Sequence, residues 1–321
     1  MFGWGGGRIV GAKLLDFGKV AGEFFLWYNV RKENRKGGGR LLVDLHIHTC
    51  FSDGTMTPEE VVAKGGTLGF GVLAAADHNS WQGWERFSAA CRAAGIRGIR
   101  GMEVDCLYDG RDIHLLAYGF SPLPRLLELA GESRRLLLKM SDDLVECLIP
   151  LWPEKELSVA QCQAWPFDPT AGGWQGIQYL LAKGVISSLP EGIALYEQHG
   201  CGYDRYPFPP VREVISAIHE AGGRAVLAHP CNWLDETRPE ELLHHLDTLY
   251  QMGLDGIECH YPANSPQMTA LCRDFCQRRG ILITAGSDDH GAFGKNHHGV
   301  RYYMGAVKAD EKDLVLGDLL I

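Results

Sequence analysis

In the stretch Asp44–Gly54, DLHIHTCFSDG, two histidines stand two residues apart and an aspartate follows five residues after the second. On a strand, alternate residues project to one side, so His46 and His48 leave one strand end together and can share a cation. Asp53, in a turn closed by Gly54, can fold back toward them. Similar endings recur along the chain. His78 follows Val72–Ala76 in AAADHN, His229 closes Ala225–Ala228 in VLAHP, and Asp288 with His290 follows Ile281–Ala285 in TAGSDDHG. Apolar runs that each end in His or Asp place those groups at the carboxyl ends of strands, where loops surround one open face.

Glu103 and His114 are tied together by a turn. Asp109-Gly110 is a strong two-residue hairpin signal, and a turn centred there pairs Asp105 with His114. Glu103 then lies diagonal to His114 on one face, with backbones roughly 7–8 Å apart. A carboxylate and an imidazole at that separation can close on one cation, although a plain hairpin ion pair is the competing reading. Nine such groups exceed the three or four that one zinc takes. Two or three divalent cations are implied, with Glu103 a plausible bridge, and imidazole with carboxylate suits Mn, Fe or Zn without choosing among them. Closely spaced cations activate water and clamp the oxygens of a phosphoryl displacement. No Ser or Cys stands beside a His base as a nucleophile would, and Cys50, next to the ligand pair, is the nearest rival.

Seven apolar runs are expected as the strands that position these groups: 41–47, 71–76, 98–107, 112–119, 224–228, 255–259 and 281–286. They alternate with helical patterns, the rhythm of a βα barrel or an open α/β sheet. Between Pro122 and Pro210 the rhythm stops. A leucine-rich charged helix (Leu126–Leu148) leads into WPEKEL, WPFDP and YPFPP, which reads as a helical insertion, or cap, over residues 122–210. The barrel would comprise 41–121 and 211–321.

Residues 1–40 differ in character, with eight Lys or Arg against three Asp or Glu, whereas the whole chain is at -9. Their middle, Ile9–Val30, has a roughly amphipathic pattern that charges interrupt too often for a membrane span or a signal-peptide core. The expectation is an extension that docks on the domain, on a partner or on a membrane surface, followed by a flexible basic linker, Arg31–Arg40. The acidic balance argues against a broad nucleic-acid footprint. Ten scattered cysteines without a CxxC pair fit a reduced, cytoplasmic protein.

Taken in order, DLHIHTCFSDG, ADHN, GMEVDC, IHLLAYGF, VLAHP, GIECHYP and GSDDHG resemble the PHP (polymerase and histidinol phosphatase) family of metal-dependent phosphoesterases over about residues 42–122 and 211–300. The resemblance implies a distorted seven-stranded βα barrel and a trinuclear site. It implies His46, His48, Glu103 and Asp288 on one metal, Asp53, His78 and His290 on a second, and Glu103, His114 and His229 on a third. The insertion is similar to that of a stand-alone branch whose members act on nucleotides or short RNAs and carry an Arg-x-His pair against substrate phosphate. The corresponding stretch here, GGWQGIQ (Gly172–Gln178), has neither residue, which puts the nucleotide substrate in question.

Further substrate contacts are expected from His260, which ends the GIEC strand, from Asn264, and from the basic residues Arg205 and Lys295. His219, His244, His245, His297 and His298 are expected to face solvent. The function expected is hydrolysis of a phosphate ester, of nucleotide or short-oligonucleotide type, by metal-activated water. The alternatives are a phosphatase of histidinol phosphate or a sugar phosphate, and a metal-dependent amidohydrolase.

Overall fold

In the computed structural model, which describes residues 40–293 and 302–320, the apolar runs are strands of a single eight-stranded sheet. β1 (Leu42–Ile47), β2 (Phe70–Ala75) and β3 (Arg97–Tyr108) run parallel, and β4 (Arg111–Tyr118) returns antiparallel. β5 (Arg224–Leu227) is antiparallel to β4, and β6 (Gly256–His260) and β7 (Leu282–Ala285) continue parallel to β5. Such strands read as continuous apolar runs because both faces are covered, and all six residues of β2 are buried.

The sheet curls until its ends meet. The Asp288 amide donates to His46 O at 2.8 Å and the His48 amide to Asp289 O at 3.0 Å, a parallel bridge between the end of β1 and the segment after β7. Across the interior, the Tyr118 hydroxyl on β4 donates to Leu45 O on β1 at 2.8 Å. The result is a nearly closed barrel, distorted because β4 runs against both neighbours. One strand was not expected: β8 (Ala309–Asp310), antiparallel to β1. Two residues carry no periodic signal.

The β3–β4 turn forms as its sequence dictates. Asp109 and Gly110 both have positive φ, 52° and 70°, as a two-residue hairpin turn requires, and Asp105 pairs with His114. After β1 the chain enters α1 (Pro58–Leu68) through a capping box, in which Thr57 and Glu60 satisfy each other's backbone amides. α2 (Trp84–Ala94) lies between β2 and β3.

Between β4 and β5 come α3 (Pro124–Leu148), α4 (Val159–Gln163), α5 (Gln175–Ala182), α6 (Leu189–Gln198) and α7 (Val211–Glu220). Met140, Leu144, Leu148, Ile177, Leu180 and Tyr196 belong to a buried cluster separate from the barrel core. α3 serves both cores: Leu126 and Ala130 are packed in the barrel's, and the Ser133 hydroxyl donates to Asp105 O at 2.9 Å. α8 (Pro239–Gln251) and α9 (Pro266–Arg279) lie between the later strands.

One histidine departs from expectation. His245 is buried, with Nδ1 3.1 Å from the Tyr108 hydroxyl and its ring edge-on to Tyr108, because the inward face of α8 includes it together with Leu242, Leu246 and Leu249. His244 and His219 are exposed as expected. Residues 1–39, with the expected extension, and Lys295, His297 and His298 lie outside the described residues. Among the described residues no helix is long and apolar enough to cross a membrane.

Candidate metal centre

The loop after β1 is built to bring Asp53 back to the strand end. Ser52 and Gly54 amides donate to Thr49 O, both at 3.1 Å. A Cβ on Gly54 would come within 2.6 Å of His48 O, so the turn needs glycine. Buried Asp77 ties the loop down, accepting from the Thr49 amide (2.7 Å), the Thr49 hydroxyl (2.8 Å) and the Ser52 hydroxyl (2.7 Å). His229 and Asp288 leave their strands with positive φ, 27° and 54°. Non-glycine residues in that region are strained, and such strain gathers at functional sites.

Glu103 is the hub. Its Oε2 lies 3.1 Å from His46 Nε2, 3.2 Å from His48 Nε2 and 3.4 Å from His78 Nε2. Its Oε1 lies 2.9 Å from His114 Nδ1 and 2.8 Å from His229 Nε2. A carboxylate offers about four lone-pair sites, yet five imidazoles converge on this one. Asp288 Oδ1 stands 3.2 Å from His48 Nε2 and 3.6 Å from His46 Nε2. On the other side, Asp53 Oδ2 is 3.3 Å from His290 Nε2, and Asp53 Oδ1 is 3.5 Å from His48 Nδ1.

Four sets of ligand atoms fall within 4.8 Å of one another: His46, His48, Glu103 and Asp288; His48, Asp53, His78 and His290; Glu103, His114 and His229; and His78, Asp105 and His114. All nine residues singled out in the sequence are thus brought together. Asp105 joins them.

Protonation states argue for cations here. Burial alone would raise the Glu103 carboxyl, but His46, His78 and His114 hold it well below the usual range. Burial would likewise lower the imidazoles. At His46 the carboxylates of Glu103, Glu258 and Asp288 outweigh it and push the ring well above its ordinary value. Glu103, Asp105 and Asp53 lift His78 to about 9, and Asp53 with Asp288 lifts His290 to about 10. Carboxylates packed among imidazoles therefore demand positive charge, which protons or divalent cations can supply. The buried atoms His114 Nε2, His229 Nδ1 and Asp53 Oδ1 have no hydrogen-bond partner. A donor set of imidazoles and carboxylates without thiolates fits hard or borderline divalent ions.

Three of the four expected substrate contacts, His260, Asn264 and Arg205, lie among the described residues. His260 accepts from Arg273 at 2.7 Å and belongs to none of the four sets. The pairing register shifts between Glu258 and His260, which breaks the alternation that would have kept the two side chains on one face. The Asn264 amide group donates to Cys259 O at 3.1 Å and so secures the strand end. Arg205 is exposed beside Asp204, 3.9 Å away.

Sequence reasoning passed over Glu258 and Arg134, and Tyr261, beside His260 in the expected substrate group, meets the candidate ligand Asp288 instead. Glu258 is fully buried and 3.0 Å from His46 Nδ1, and the Tyr261 hydroxyl donates to Asp288 Oδ2 at 2.9 Å. Arg134 on α3 lines a cavity of about 270 Å³ that also borders Asp53 and His78, with Phe167, Trp174 and Tyr203 among its walls. The Cys50 thiol is pushed up by burial and by Asp77, which disfavours a thiolate nucleophile.

The sequence profile of the PHP domain matches residues 44–161. The chain is 30% identical over 274 residues to a phosphoribosyl 1,2-cyclic phosphate 1,2-diphosphodiesterase of Eggerthella lenta, covering 80% of this chain and 97% of that one. It is 27% identical to a 5'-3' exoribonuclease of Haemophilus influenzae, covering 77% and 89%. Among solved structures, a protein of Bifidobacterium adolescentis assigned as a metal-dependent phosphoesterase aligns with a TM-score of 0.67 at 27% identity, over 84% of this chain and 93% of that one.

Proposed function

As the chain belongs to the PHP family of metal-dependent phosphoesterases, we propose that its substrate is the phosphate ester of a single ribose-sized unit, a nucleotide or the end of a short oligonucleotide. We propose further that two or three divalent ions, of Mn, Fe or Zn type, are held by His46, His48, Asp53, His78, Glu103, His114, His229, Asp288 and His290. The five imidazoles around the Glu103 carboxylate carry this reading. When bound, the ions supply an activated water and neutralise the phosphate oxygens.

The chain's own groups do the rest. The cavity of about 270 Å³ lies at or just below the low end of small-ligand pockets, about 300–1,000 Å³, and so suits one nucleotide or phosphorylated sugar better than a longer fragment. Arg134 makes no hydrogen bond or ion pair with another described residue and is available to take phosphate oxygens opposite Asp53 and His78. Phe167, Trp174 and Tyr203 offer ring faces to a base or a sugar. On this reading residues 122–210 form a cap that selects the substrate, and Arg134 stands in for the missing Arg-x-His pair.

A second reading, a cyclic phosphodiester of phosphoribose, is favoured by the resemblance to the Eggerthella lenta diphosphodiesterase over nearly all of that protein. Metal-reconstituted protein assayed against nucleoside monophosphates, a nucleoside bisphosphate, a dinucleotide, a phosphoribosyl cyclic phosphate and an aryl phosphate tests both. A clear kcat/KM preference for the nucleotides supports the first, and a preference for the cyclic diester supports the second. Equal rates on all five would leave the cap without a selecting role.

A further inference from the structure

Glu258 lies in β6, fully buried, and its carboxylate reaches two other strands. Oε1 is 3.0 Å from His46 Nδ1 at the end of β1, and Oε2 accepts the backbone N–H of His229 after β5 at 2.8 Å. In this contact His46 donates through Nδ1 to the carboxylate. That commits Nδ1 to Glu258 and leaves Nε2, which faces Glu103 and Asp288, as the ring atom open to a cation. Meanwhile the bond to the His229 amide secures a residue whose φ is 27°, the conformation from which its Nε2 reaches Glu103 at 2.8 Å.

The surroundings are shaped to keep this carboxylate in place. A Cβ on Gly286 would run into both Glu258 Oε1 and the His46 side chain, so this approach requires glycine. The Glu258 carbonyl is held by the Asn264 side-chain amide at 3.4 Å. No hydrogen bond or ion pair joins the Glu258 side chain to Asp53, His78 or His290.

We propose that Glu258 is a positioning residue that sets two metal groups at once, the one containing His46 and the one containing His229, and leaves the Asp53–His78–His290 group alone. The inference rests on the metal reading of the site. Histidine ligands that donate their other ring nitrogen to a carboxylate gain fixed orientation and basicity, and removing the partner lowers metal affinity about 10–100-fold.

The test uses full-length wild type, Glu258→Leu, Glu258→Gln and His290→Ala, each stripped of metal and titrated with Mn²⁺ against a chelator. In Glu258→Leu, affinity falls about 10–100-fold at two binding steps, whereas the step that His290→Ala removes stays in place. Glu258→Gln keeps one acceptor, and its loss is smaller. Histidine ¹⁵N–¹H spectra of the metal-free proteins show the His46 Nδ1–H proton downfield-shifted and slow to exchange in wild type, and that hydrogen-bonded signal is lost in Glu258→Leu. The Tm of metal-free Glu258→Leu falls, because His46 Nδ1–H and the His229 amide lose their buried acceptor, and Glu258→Gln recovers part of the loss.

Unchanged Mn²⁺ affinity with an unchanged His46 signal overturns the inference and leaves the metal reading standing. An equal loss at every step, the one that His290→Ala removes included, also overturns it, because that marks a brace of the whole fold. Wild type that binds no Mn²⁺ overturns both.

Discussion

The Nε2 atoms of His46 and His48 lie 3.2 Å apart, and each is within 3.2 Å of the same oxygen of Glu103. Alternate residues of one strand have aimed their rings at one point. Ring nitrogens so placed repel one another unless a proton or a metal cation sits between them, and the energy of the site is then coupled to metal binding.

His48 reaches two of the ligand sets, so His48→Ala should disturb both. Because losing an outer partner alone costs about 10–100-fold, kcat/KM should fall more than about 100-fold. Elemental analysis should find fewer divalent ions per chain, and the metal-free Tm should stay near the wild-type value. Full metal content with full activity would remove His48 from the site.

Arg134→Met should act on binding. A charge-assisted hydrogen bond is worth about 1.5–3 kcal/mol, so KM for a nucleoside monophosphate should rise about 10–100-fold while metal content stays unchanged. A KM that does not move would place the phosphate elsewhere in the cavity.

The barrel was legible because parallel strands covered on both faces are written as unbroken apolar runs, and most of the candidate ligands because they follow such runs, with Glu103 and His114, inside β3 and β4, read from the hairpin turn between them. Glu258 was harder to read. It sits inside a strand with no local turn to place it, and what brings it to the candidate site is contact with His46, 212 positions away. His260 was expected at the site because it ends the GIEC strand; the register shift ahead of it breaks the strand's alternation, and its ring pairs with Arg273. Arg134 was one charge among several on a leucine-rich helix, and only the packing of α3 on two cores shows which face meets the site.

The metal-free protein should lose stability as pH rises above neutral. Free histidine titrates near 6.5, whereas His78 and His290 are raised to about 9 and about 10 by their carboxylate neighbours. A raised imidazole contributes stability fully below 6.5 and loses it as pH passes through the folded value. The Tm of chelator-treated protein should therefore fall between pH 6.5 and 10, and added Mn²⁺ should restore more of it at the alkaline end, where fewer protons compete. A flat or rising Tm over that range would contradict the assigned protonation states.

Trp174 allows the cap to be tested without dismantling it. Its indole N–H donates to the Tyr196 hydroxyl at 2.7 Å and its ring also borders the cavity. Trimming the whole insertion would remove α3 from the barrel core, so a point change is cleaner. Base stacking on one aromatic is worth about 1–3 kcal/mol. Trp174→Ala should lower kcat/KM for a nucleotide about 5- to 150-fold and leave an aryl phosphate within a few-fold. Equal losses on both substrates would assign Trp174 to cap packing.

Cys50 decides whether the chain itself supplies a nucleophile. It stands two residues after His48, close enough to the candidate site to be considered, but burial and the Asp77 carboxylate both raise its thiol. A thiol held protonated is a poor nucleophile at neutral pH, and the Thr49 and Ser52 hydroxyls donate to the Asp77 carboxylate, Ser52 Oγ at 2.7 Å while standing 3.4 Å from His48 Nδ1, so their protons are committed to Asp77. Cys50→Ala should therefore keep most of the wild-type kcat, with any deficit traced to loop packing around the Cys50 amide, which donates to Met56 O at 2.8 Å. Single-turnover hydrolysis in heavy-oxygen water should place one labelled oxygen in the released phosphate, as cleavage at phosphorus requires, and rapid acid quench should recover no phosphorylated chain. An inactive Cys50→Ala, together with a phosphorylated chain trapped by rapid acid quench and mapped to the peptide containing Cys50, would instead establish a covalent route.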